Sequence, residues 1–304
     1  MSNLTGRESM LSALAARLRD RLAAALAAGG DSPDPVALEG WLACWALASA
    51  GRGTALAQRA ADLLQRPFQS MAPLAEPREG QLPAPFLQGV AALALWTPPL
   101  ASEPALDGGR SLVARELNAA WRPAGHFAFA AGLLPVEPSA FQESLVAAAW
   151  AHLPDPVAER RTVRARKLLS HLRAGQPARP SSGRQGGEGG LALRLWAALV
   201  LAEHAGIEDA VPALLVAART VRRGDLPEAA VERAALALAL SAAASAAAEP
   251  AEAAAFRRDG ARCLEEGFAP STPDDIPAAA LALVAVAALP AAPQPVSARP
   301  ALKP

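Results

Sequence analysis

The chain has 304 residues, 52% of them hydrophobic, and balances 29 basic against 29 acidic side chains at a sequence pI near 6.9. Without a basic excess to neutralise phosphates, nucleic acid is not a favoured partner, although a local basic patch stays open. Two cysteines, Cys44 and Cys263, are too few for a disulfide framework or a thiolate zinc site, and both sit in apolar helical patterns as buried free thiols.

The kind of hydrophobic residue sets the fold class. Ala and Leu dominate, aromatics make up 4% and Tyr is absent. Ala and Leu are strong helix formers, whereas the β-branched and aromatic residues that favour strands are scarce, so the expected class is all-α. The first thirty residues carry Arg7, Glu8, Arg17, Arg19, Asp20 and Arg21 within their apolar pattern, which breaks the uninterrupted core of an export signal. The uncharged run from Ile276 to Leu289 is Ala-rich and flanked by Pro277 and Pro290, short of the roughly 20 strongly apolar residues a membrane span requires. The expectation is a cytoplasmic chain without a membrane span.

Prolines and glycines punctuate the chain. Pro fits the first turn of a helix, so Asp34-Pro35, Glu103-Pro104, Asp155-Pro156 and Glu249-Pro250 read as helix starts. Capping boxes are expected at Ser139 with Gln142 and at Asp225 with Glu228, and left-handed C-caps at Gly51, Gly206, Gly224 and Gly267. About twelve helices result, near 7–28, 35–50, 54–66, 84–97, 104–121, 138–152, 155–173, 188–205, 207–222, 226–246, 250–266 and 274–289. Most connections are short, so consecutive helices form antiparallel hairpins.

Within each hairpin the two members differ. One is apolar nearly all round, as in VALEGWLACWALASA and LALRLWAALVLAEH; the other carries Arg and Glu at helical spacing, as in VAERRTVRARKLLSHLR. A helix apolar on every side must be enclosed, and one with a polar stripe faces water. An inner layer wrapped by an outer one follows, with an amphipathic first helix and an apolar last helix available to make the sixth hairpin. That pattern resembles a closed α/α-toroid of six hairpins spanning 1–290, with an open α-solenoid as the alternative. Residues 291–304 read as a disordered tail on composition.

Toroid enzymes set requirements that this chain does not meet. The zinc-dependent ones use Cys, His and Asp ligands, but His126, His152, His171 and His204 have no His or Cys at ligand spacing, so no metal or other cofactor is expected. Terpenoid cyclases need Asp-rich motifs and aromatic walls, and toroid glycosidases a Trp and Tyr lining. Paired carboxylates remain as a catalytic option. Glu39, Glu143, Glu188, Glu232 and Asp275 lie at or near the first turns of inner-type helices, where they also complement the helix dipole. The glycine-rich stretch SSGRQGGEGG at 181–190 leads into a helix, with Arg184 beside amides able to cradle an anion, or it is a plain connector.

The sharpest local feature is a charge run. Arg160, Arg161, Arg164, Arg166, Lys167, Arg173, Arg179 and Arg184 lie between 160 and 184 without an acid among them. Arg160, Arg164, Lys167 and His171 share one helical face, while Ala165, Leu168, Leu169 and Leu172 form another. The leading expectation is a non-catalytic binding or assembly module. It would engage an acidic protein surface or anionic ligand through Arg160, Arg164, Lys167, His171, Arg173 and Arg184. The alternatives are a hydrolase or lyase using Glu39, Glu143, Glu188 or Asp275, and a degenerate toroid that has lost its chemistry. Glu265, Glu266, Asp274 and Asp275 supply the opposite charge bias, which leaves the oligomeric state open.

Overall fold

The computed structural model describes residues 2–28, 34–51, 56–65, 85–131, 134–135, 137–154, 158–174, 188–268 and 275–289. Among them are twelve α-helices: α1 (Ser2–Ala28), α2 (Asp34–Ser49), α3 (Leu56–Gln65), α4 (Phe86–Leu95), α5 (Asp107–Ala120), α6 (Ala140–His152), α7 (Ala158–Ala174), α8 (Glu188–His204), α9 (Val211–Arg222), α10 (Ala230–Ala246), α11 (Pro250–Phe268) and α12 (Ile276–Ala288). The all-α class expected from composition is what the chain forms.

The even-numbered helices are the enclosed ones. In α4 every residue but Leu87 is buried, and α12 is buried from Ala278 to Ala285 on all sides. In chain order each even-numbered helix packs on the next, from α2 through α12, and α12 packs in turn on α2. Their Ala and Gly faces bring the backbones close: a Cβ on Gly89 of α4 would meet Val146 Cγ2 of α6 at 2.8 Å and its Cα at 3.1 Å. Bulk is supplied where small residues leave space. Trp45 of α2 and Trp196 of α8, three places apart in that series, have ring centroids 5.8 Å apart, and both are buried.

The odd-numbered helices bury one stripe each. Leu14, Leu18, Leu22 and Leu26 of α1 recur every fourth residue and are buried where α1 packs on α2 and α12. On α7 the buried stripe is Ala165, Leu168, Leu169 and Leu172, the apolar face expected from spacing.

Local signals fared unevenly. The Ser139–Gln142 capping box forms in full at the start of α6, and Gly51 and Gly206 take positive φ after α2 and α8. The Asp225–Glu228 box does not form. α10 begins at Ala230 with Ala229 as its N-cap, and the Arg233 guanidinium donates to the Pro227 carbonyl, holding the approach segment out of the helix. Gly267 lies within α11 rather than after it, packed on the Arg233 side chain, and Gly224 has no positive φ. Sequence reading also gave no strands. Two short antiparallel pairs, β1 (Trp121–Arg122) with β2 (His126–Phe127) and β3 (Ala130–Ala131) with β4 (Leu134–Pro135), occupy the connection from α5 to α6. The turn of the first pair needs Gly125, at φ +94°, because a Cβ there would lie 2.7 Å from Lys167 Cβ.

No helix among the described residues is long and apolar enough to cross a membrane. The expected tail at 291–304, Arg184 and the stretch 181–187 lie outside the described residues.

Candidate functional site

The buried polar or charged side chains among the described residues are Gln88, Glu143, Ser144 and Ser241. Glu143 is the charged one. It lies in the first turn of α6, where a carboxylate suits the helix dipole, and its oxygens are shared between two neighbours. His171 Nε2, near the end of α7, donates to Oε1 at 2.5 Å, and Arg194 Nη2 on α8 donates to Oε2 at 3.2 Å. A carboxylate buried this deeply requires such partners, because an unpaired charge in an apolar surround is prohibitively costly. The cluster ties α6, α7 and α8 together at one end. His171 stays 40% exposed on its side chain while Glu143 is 11% exposed, so a buried carboxylate orients an accessible imidazole. The His126 ring from β2 lies 5.4 Å from that of His171.

The other carboxylate candidates do not join it. Glu39 is exposed on α2, and Asp275 is an exposed N-cap of α12 without a side-chain capping bond. Glu188 opens α8, its side chain outside the described residues. Sequence reading singled out Glu143 and His171 separately, one as a weak catalytic candidate and one as a binding residue. Their pairing and the part of Arg194 were missed, because Arg194 is a single cation inside an otherwise apolar helix.

The basic run on α7 is largely spoken for. Arg166 makes a bidentate pair with Asp209, both bonds 2.8 Å, and the Arg166 guanidinium holds the Asp209 carboxyl below its usual range. Arg173 donates to the Ala210 carbonyl at 3.4 Å, and Arg161 to that of Ala151 at the end of α6. Lys167 Nζ donates to the Pro123 carbonyl at 3.0 Å yet stays exposed. The Arg164 guanidinium lies 5.8 Å from the centroid of the Trp121 ring, which stacks on Trp150. Arg160 is exposed. Arg160, Arg164 and Lys167 share one stripe at i, i+4 and i+7, with Arg164 half-buried over Trp121, while His171 is engaged by Glu143 and Arg166 and Arg173 reach the start of α9.

At the far ends of α6 and α8 a second pair of histidines meets. His152 and His204 have ring centroids 4.2 Å apart in an edge-to-face arrangement. Burial, then the neighbouring His204 and Arg161, lowers the His152 pKa from 6.5 to about 4. Because the folded value lies below the unfolded one, the unfolded chain binds the extra proton between pH 6.5 and 4, and stability falls as pH falls through that window. The loss should approach about 3 kcal/mol at pH 4. Melting curves from pH 7 to 4 should show it, and a His152→Gln variant should be flatter above the range where carboxylates titrate. Equal slopes for the two proteins would show that His152 carries no such linkage.

Among the described residues no group of three His, Cys, Asp or Glu side chains could hold a metal ion. Burial pushes both thiols up to about 12, so Cys44 and Cys263 are unreactive at neutral pH. Comparison of the chain with protein-family models, with curated proteins and with solved structures finds no match in any of the three.

Proposed function

We propose that this chain is a binding or assembly module built as a closed α/α-toroid of six hairpins, with its contact surface on the outside rather than along its axis. The packing of α12 on α2 supports ring closure, with α1 as the outer partner of α12. The observation that carries the reading is the meeting of Trp45 and Trp196. In a six-membered ring α2 and α8 stand opposite each other, and Trp45 and Trp196, both buried, meet between them. Two indoles meeting there close the axis at that level among the described residues, which favours an outer contact surface over an axial pocket.

The outer face of α7 is then the contact surface, narrowed from the whole basic run to Arg160, Arg164 and Lys167 with Trp121 beneath. Two Arg side chains and a Lys on one helix face, backed by an aromatic ring, suit an acidic protein surface or an anionic ligand. The triple variant Arg160→Glu, Arg164→Glu, Lys167→Glu tests the reading on an immobilised polyglutamate matrix. Affinity should fall about tenfold or more at low ionic strength, with the difference shrinking as salt screens the charges. Equal retention of the folded variant and the natural chain would sink the proposal.

A further inference from the structure

The two histidines that sequence spacing kept apart, His152 and His204, end adjacent helices of the enclosed layer. Glu143 meets Arg194 towards the N-terminal ends of α6 and α8, and His152 meets His204 at their C-terminal ends, so the two helices run parallel and finish together. His204 is exposed, and its Nδ1–H donates to the Val200 carbonyl one turn back, at 3.0 Å. That bond selects the tautomer in which Nε2 carries the free lone pair, the same orienting device that metal-binding histidines use. His152 is half-buried beside it.

We propose that His152 and His204 form a two-histidine chelate for a borderline divalent transition metal such as Ni2+, Cu2+ or Zn2+, with water completing the coordination sphere. Two nitrogens bound to one such ion at about 2.1 Å lie about 3 Å apart. The ring centroids lie 4.2 Å apart, and with His204 held by its bond to Val200, rotation of the His152 ring about χ2 would turn its lone pair towards the same ion. The C-terminal ends of the α6 and α8 helix dipoles add partial negative charge at the site, which favours a cation. Arg161 opposes it, since its guanidinium donates to the Ala151 carbonyl at the end of α6. That repulsion selects against hard ions held mainly by charge, such as Mg2+ and Ca2+, and for ions that bond imidazole strongly. The site is independent of the α7 contact surface and would survive failure of that reading.

Titration calorimetry of the tag-free full chain with Ni2+ at pH 7.5 tests the site. One equivalent should bind, with Cu2+ tighter and Mg2+ inert, and His204→Ala should weaken Ni2+ by about tenfold or more. Because His204 is exposed, that variant is expected to fold, and His152→Ala should act in the same direction. His126→Ala, at the other histidine pair, should bind like the natural chain. Unchanged Ni2+ affinity in folded His204→Ala, loss in His126→Ala instead, or no binding by the natural chain at millimolar Ni2+ would overturn the proposal.

Discussion

Replacing Trp196 with alanine should cost about 3–5 kcal/mol, as expected when a large aromatic is deleted from a packed interior. Trp196 and its partner Trp45 fill space that the small residues around them cannot reach. Neighbouring helices already touch through Ala and Gly, as Gly89 shows against Val146, so the layer cannot contract to close the hole. In thermal unfolding the midpoint should drop by on the order of 10 °C for a chain of this size. The two Trp positions should also be coupled. The double variant Trp45→Ala, Trp196→Ala should cost less than the sum of the singles, because the first deletion already removes their mutual contact. A single-variant loss below about 1 kcal/mol would mean that the rings do not plug a rigid centre.

The second large effect centres on Glu143. Glu143→Ala takes the shared acceptor away from His171 and Arg194 and leaves the Arg194 charge, 18% exposed, without that partner. Urea unfolding should register a loss of about 3 kcal/mol, the usual consequence of breaking a buried ion pair by removing one member. Glu143→Leu combined with Arg194→Leu should recover much of it, since replacing both members by apolar groups also removes the desolvation cost. If the double variant is as unstable as Glu143→Ala, the cluster acts through some role other than charge satisfaction.

Several of these features could be read from the chain before folding. The capping box at Ser139 and Gln142 and the apolar face of α7 are local patterns, and both form as expected. The Asp225–Glu228 box failed on a contact with Arg233, eight residues beyond Asp225 and outside the motif. The strand pairs at 121–135 carry no alternating run long enough to announce themselves. The first pair rests instead on a turn packed against Lys167, forty-two residues beyond Gly125 along the chain.

The charged residues divide in the same way. That α7 carries a basic stripe is written in its spacing. That Arg166 is committed to Asp209 and Arg173 to Ala210 depends on where the start of α9 docks. Spacing along a helix fixes which side chains share a face, because 3.6 residues per turn is a property of the backbone itself. Helical class, the alternation of enclosed and amphipathic helices, and the buried stripes were therefore determined by sequence alone. Which groups meet across helices depends on their register and crossing angles, which are set only when the surfaces interlock. Tertiary packing alone decided that Glu143 meets His171 and Arg194, that Trp45 meets Trp196, and that His152 and His204 end side by side.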